Sequence, residues 1–160
     1  MSLQTRRLGL RFMPLADHTF QRHSFCVEIR IDGRLLIDMV RDIEALYVTS
    51  VAGAYEPASP LHLMNDLDPE RPADDPFLRA GHAGRALDLL ICDCGIPSCW
   101  SLTARMLLDA DRVRWTELES NLNHSQGVRY DGLGPLVFER ASYVAEVRQL
   151  ATAFADALKG

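Results

Sequence analysis

A chain of 160 residues that is 48% hydrophobic and 24% charged has the composition of an ordinary globular protein. One domain of that length buries roughly 70% of the surface its unfolded form exposes, so its core needs neither metal nor disulfide. A net charge of −5 removes the basic field that non-specific nucleic-acid binding rests on.

Membrane spanning is disfavoured as well. No apolar run approaches the roughly 18 residues of a span, and the start, MSLQTRRLGL, has arginines with no apolar stretch behind them. The expectation is a cytoplasmic protein with no nucleic-acid and no membrane partner.

In chain order, Thr5 to Met13 reads as a first strand closed by Pro14, and Asp17 to His23, which holds His18 and His23, as a polar loop. From Ser24 to Asp32 the residues alternate, with Phe25, Val27, Ile29 and Ile31 on one face and Cys26, Glu28, Arg30 and Asp32 on the other. Asp32-Gly33 is a type I′ hairpin signal, with Arg34 to Ile37 as the return strand. Asp38 can cap a short helix whose apolar positions are Val40, Ile43, Leu46 and Tyr47. A further turn or two of helix is expected over Pro60 to Asn65, and Asp66 to Pro76 is expected as an exposed acidic loop.

The most informative stretch is LLICDCGIPSCWSLTARMLL, Leu89 to Leu108, where three of the four cysteines fall within eight residues. Two apolar runs flank Gly95, Ile96, Pro97 and Ser98, which is turn chemistry, so a β-hairpin is expected. A closed four-residue loop would pair Cys94 with Cys99, Cys92 with Ser101, Leu90 with Thr103, Ile91 with Leu102 and Leu89 with Ala104. Alternation then gives a core face of Leu89, Ile91, Trp100, Leu102, Ala104 and Met106. The opposite face holds Leu90, the three thiols, Ser101, Thr103 and Arg105.

Beyond a turn at Asp109 to Arg112, Val113 to Glu117 pairs back, with Val113 and Trp115 on one face. The result is a three-strand meander from Leu87. Glu119 to Gly132 is polar and carries His124, Arg129, Tyr130 and Asp131. Leu136 to Phe138 is a short strand. Arg140 to Leu158 is the best helix, with Tyr143, Val147, Leu150, Phe154 and Leu158 on one stripe.

Three chemistries suit the cysteines. Zinc takes four ligands in a tetrahedron, and Cys92, Cys94 and Cys99 could supply three of them, completed by Cys26 or by His62, His82 or His124. Against this, a strand holds Cys92 and Cys94 about 6.5 to 7 Å apart at Cα instead of wrapping both around one ion. A Cys94–Cys99 disulfide fits facing strands but not a reducing compartment. Plain buried thiols acting as small apolar residues are the third reading, and the one favoured. A catalytic triad of Cys99, His124 and either Glu117 or Asp131 can be drawn, but no spacing brings its members together. Trp100 and Trp115 read as core, and His124, Arg129 and Tyr130 as the exposed polar cluster of a loop.

The run CDCGIPSCW, the VRW strand after it and YDGLGPLVFERASY before the last helix resemble a family of uncharacterised bacterial proteins. That family carries a Cys-x-Cys-Gly-x-x-Gly-Cys-Trp signature and a Tyr-x-x-Leu-Gly segment leading to a Phe. The likeness runs from Leu87 onward and departs at Ser98, where the signature has Gly. It implies one domain with the thiol hairpin as a shared feature, and no particular reaction.

The sequence therefore predicts a single α+β domain over residues 1–160. Its mostly antiparallel sheet of about six or seven strands would be covered on one face by the C-terminal helix and by short helices near Val40 and Leu61. The expected function is a non-catalytic interaction module, with an architectural thiol hairpin that zinc could organise and with the loops Met64 to Pro76 and Leu118 to Gly132 facing a protein partner. The alternative is a thiol-dependent enzyme or redox sensor using Cys99 or Cys94. A homodimer through open strand edges is plausible.

Overall fold

A computed structural model describes residues 4–14, 25–47, 52–53, 55–57, 67–69, 85–92, 101–120 and 127–159. His18, His23, the helix expected over Pro60 to Asn65, His62, His82, the Gly95 to Ser98 turn with Cys94, Cys99 and Trp100, and His124 all lie outside these residues.

In chain order the elements are β1 (Thr5–Arg6), β2 (Leu8–Pro14), β3 (Phe25–Ile31), β4 (Arg34–Leu35), α1 (Leu36–Glu44), β5 (Tyr55–Pro57), β6 (Arg85–Cys92), β7 (Ser101–Leu108), β8 (Arg112–Ser120), β9 (Leu136–Glu139) and α2 (Arg140–Lys159). This is the expected α+β class, with a mostly antiparallel arrangement and a C-terminal helix. Among the described residues no helix is long and apolar enough to cross a membrane.

The strands form two sheets, where a single sheet was expected. One is six-stranded, in the order β1-β9-β8-β7-β6-β5, and the other is β2-β3-β4. The predicted first strand is divided between them. β1 pairs in parallel with β9, and β2 pairs antiparallel with β3. The switch falls at Arg7, whose two backbone groups are both taken by Asp32. The Arg7 N–H donates to Asp32 Oδ1 at 2.8 Å, and the Arg7 carbonyl accepts from the Asp32 N–H at 2.9 Å. That backbone bond, followed by the Arg6 guanidinium at 2.9 Å, holds the Asp32 carboxyl below the usual carboxylate range.

Asp32 and Gly33 both have positive φ, 52° and 84°, as the type I′ turn requires. The return strand is shorter than expected, because α1 begins at Leu36. Its N-cap position is Leu35, with no side-chain cap. Asp38 instead sits inside the first turn, paired with Arg41 at 2.7 Å. The helix ends at Glu44, which leaves Leu46 and Tyr47 exposed instead of on the apolar stripe.

Val27, Ile29 and Ile31 of the small sheet join Leu87, Leu89, Leu102, Met106 and Trp115 of the large one in a common core. Leu67 is also fully buried in it, where an exposed acidic loop was expected over Asp66 to Pro76; Asp66 and residues 70–76 lie outside the described residues. Trp115 lies edge-on to Phe138 (4.9 Å) and to Tyr143 of α2 (6.1 Å), and its indole N–H donates to the Tyr143 hydroxyl at 3.2 Å. α2 also reaches the small sheet: Phe154 stacks edge-on with Phe12, and Glu146 accepts from the Leu10 N–H at 3.2 Å.

Two bulges set which residues face this core. Between Asp88 and Leu90 the β6–β7 register shifts by one residue: Leu87 opposes Ala104 and Asp88 opposes Thr103, but Leu90 opposes Leu102 and Ile91 opposes Ser101. The expected pairs of Leu89 with Ala104, Leu90 with Thr103 and Ile91 with Leu102 are therefore not formed. The extra residue restarts the alternation, so Leu90 is buried and Ile91 is only half-buried. The second bulge is in β8, where Arg105 opposes Thr116 but Thr103 opposes Glu119. Glu117 takes a left-handed backbone there, with φ 51°. Val113 and Trp115 point inward before it, and Leu118 and Ser120 after it.

Candidate functional site

The cysteines were the first place sequence reasoning put a site. Cys26 is buried in β3, its Cα opposite Met13 in the small sheet. Cys92 is the last residue of β6, its Cα opposite Tyr55 in the large sheet. Cys94 and Cys99 fall outside the described residues. Among the described residues, no group of three or more His, Cys, Asp or Glu could hold a metal ion.

Two features emerge elsewhere, back to back. The first is a buried polar network. On α1, Leu36, Val40 and Glu44 recur every fourth residue on the buried stripe, so a carboxylate stands where the pattern asks for an apolar side chain. Glu44 is fully buried. An ionised carboxylate survives such burial only when donors replace its water. Here three donors come from two segments. Glu44 Oε2 accepts from the Tyr55 hydroxyl at 2.9 Å and from the Tyr130 hydroxyl at 2.8 Å, and Oε1 accepts from the Gly53 N–H at 3.0 Å.

Gly53 has φ 69°, and a Cβ there would meet the Arg41 side chain at 2.7 Å, so only glycine fits against the helix. The Tyr55 hydroxyl also lies 2.8 Å from Ser120 Oγ. Because its one proton goes to the carboxylate, Tyr55 accepts from the serine. Burial, reinforced by the Glu44 charge, raises the Tyr55 hydroxyl well above the ordinary tyrosine range. The same causes push Tyr130 up to about 12.

The second feature is a pocket of about 450 Å³ between the β8 bulge and the segment that follows, lined by Thr116 to Glu119 on one side and by Arg129 to Asp131, Gly134 and Pro135 on the other. The buried Leu118 packs against Gly134, where a Cβ would come within 2.5 Å of its side chain. Around the rim stand Glu117, Glu119, Asp131 and Arg129, all exposed. Glu117 is bound by Arg105 at 2.8 Å. Among the described residues, no ion pair joins Arg129 to Glu119 or Asp131, although all three line one cavity.

Of the polar cluster read from sequence, Arg129 is exposed as expected, but Tyr130 is buried. Val128 and Tyr130 turn inward, while Arg129 and Asp131 turn outward. Glu117 and Asp131, the two carboxylates considered for a thiol triad, share the pocket wall. Sequence reasoning missed Glu44, Tyr55 and Ser120. Glu44 alone carried a signal, an acid four residues after Val40 on the helix's apolar stripe. No family model, curated protein or solved structure matches the chain.

Proposed function

We propose that this chain is a non-catalytic binding protein of the cytoplasm, taking a basic side chain of a protein partner into the pocket between the β8 bulge and Arg129–Pro135. The observation that carries this reading is the rim. Glu119 and Asp131 present exposed carboxylates to a cavity, and among the described residues neither has an ion partner, in a chain of net charge −5. A guanidinium or ammonium entering there would gain charge-assisted hydrogen bonds from both walls. Arg129 beside them would discriminate against a bare metal cation and favour a cation carried on a chain whose carbonyls it can bind.

Among the described residues, the lining offers charges but no nucleophile with a base. The Thr116 hydroxyl donates to the Arg105 carbonyl at 3.4 Å, and the Tyr130 hydroxyl is turned away to Glu44. In this reading the cysteine hairpin expected from the sequence is architectural, and zinc is the cofactor its thiolates would suit.

The test is a titration of ¹⁵N-labelled protein with a capped tri-arginine peptide. Shifts are expected at 117–119 and 129–131, weakening with salt. They should vanish in the Glu119→Gln/Asp131→Asn double variant, which changes only exposed side chains and so should fold as the parent does. Shifts scattered over the surface, or unaltered in the double variant, would overturn the proposal.

A further inference from the structure

The two pieces of chain that wall the pocket also reach, from their opposite sides, the buried network beneath it. On β8, Glu119 faces the rim while Ser120 faces inward to Tyr55. On the other wall, Arg129 and Asp131 face the rim while Tyr130, between them, faces inward to Glu44. Tyr55 and Tyr130 end on one oxygen, Glu44 Oε2. We infer that Glu44 is a positioning residue for the pocket: one buried carboxylate, 86 residues from Tyr130 in sequence, ties both walls together and sets the distance between the rim charges.

The walls also meet directly, where Leu118 packs against Gly134, where Trp115 pairs with Leu136 and where the Ser120 and Tyr130 hydroxyls bond, and Glu44 adds a further tie beneath them. Among the described residues, no ion pair crosses the rim from Glu119 to Arg129. The bonds that cross underneath run from Ser120 to Tyr55 to Glu44 to Tyr130, at 2.8, 2.9 and 2.8 Å. The second carboxylate oxygen is held by the Gly53 N–H, so Glu44 cannot swing to follow one wall alone. A hydrogen-bonded chain of this kind in a dry interior is stiff, because every member that lets go is left unsatisfied.

The functional consequence rests on the pocket being the contact site, but the coupling does not, and two readouts separate them. Tyr130→Phe removes one hydroxyl from the network, and Tyr143→Phe removes one buried hydroxyl from the core away from it. Tri-arginine binding should weaken about tenfold in the first and stay within about twofold of the parent in the second. Equal weakening in both would reduce Glu44 and its partners to general stability and overturn the inference.

Amide exchange supplies the readout that needs no ligand. Glu44→Gln, at a residue bonded to Tyr55 and Tyr130, should speed exchange at Leu118 to Ser120 as well as at 128–133. Acceleration confined to 128–133 would overturn the coupling even if the peptide binds. Failure of the peptide to bind the parent protein, with exchange transmitted across the pocket, would overturn the contact site and leave the coupling standing.

Discussion

The Tyr55 hydroxyl stands 2.8 Å from Ser120 Oγ because the chain carries one extra residue between Trp115 and Ser120. Without the bulge at Glu117, strict alternation from the inward Trp115 would turn Ser120 to the outer face. The left-handed backbone at Glu117 is the cost of that arrangement, since a long side chain at φ 51° is strained. Glu117→Gly should therefore stabilise the protein by about 0.5 to 1 kcal/mol. The exposed Arg105 pair lost with it is worth little. Urea unfolding should show a raised midpoint at unchanged slope. Glu117→Val, which tolerates that backbone poorly, should lower the midpoint.

The tyrosines give the pH dependence. Both Tyr55 and Tyr130 are harder to ionise in the folded protein than in the unfolded chain, where a tyrosine loses its proton near pH 10. Below that pH both states are protonated, and stability is unaffected by these groups. Above it the unfolded chain ionises first, so stability falls as pH rises from about 10 towards about 12. Tyrosinate absorbance should rise in a step that coincides with loss of the far-ultraviolet circular dichroism signal. Tyr55→Phe/Tyr130→Phe should remove most of the alkaline sensitivity while lowering stability at neutral pH, because the Glu44 carboxylate is left with the Gly53 N–H as its remaining donor from this network.

Tyr143→Phe tests the aromatic core. The Trp115 indole N–H is fully buried and donates to the Tyr143 hydroxyl at 3.2 Å, so the variant leaves that donor without this acceptor. A loss of about 1 to 2 kcal/mol is expected from urea unfolding. The near-ultraviolet tryptophan signal should be retained, because the ring packing against Phe138 is unchanged.

Thiol chemistry gives a fourth prediction. Cys26 is buried, so it should resist alkylation in the native protein and react only on unfolding. If zinc organises the hairpin, elemental analysis should find about one ion per chain, and a chelator should release further thiols and lower the melting temperature. A rapidly labelled cysteine in a metal-free protein would favour the thiol-enzyme reading over the architectural one.

What sequence could reveal follows from which forces were local. The Asp32-Gly33 turn, the C-terminal helix and the Trp115 face were legible because turn chemistry and periodicity are written within a few residues. The division of the first strand into two sheets was not, because its cause is a pair of bonds between Arg7 and Asp32, 25 residues apart. Registers failed for a related reason. A bulge at Leu89 or Glu117 leaves no compositional mark, yet each one inverts the side of every residue beyond it. Of the candidate site, Arg129, Asp131 and Glu117 were named from sequence, whereas the network beneath them needed four segments to be brought together before it existed.

The bond from Glu146 to the Leu10 N–H bears on association. Leu10 lies on β2, the outer strand of the small sheet, and its amide points away from β3, where a strand from another copy would seek it. A carboxylate already seated on that donor makes docking there compete with the protein's own last helix, so this border repels partners that the bare ladder would have invited. Backbone pairing of two copies along β2 would first have to displace Glu146 from this amide.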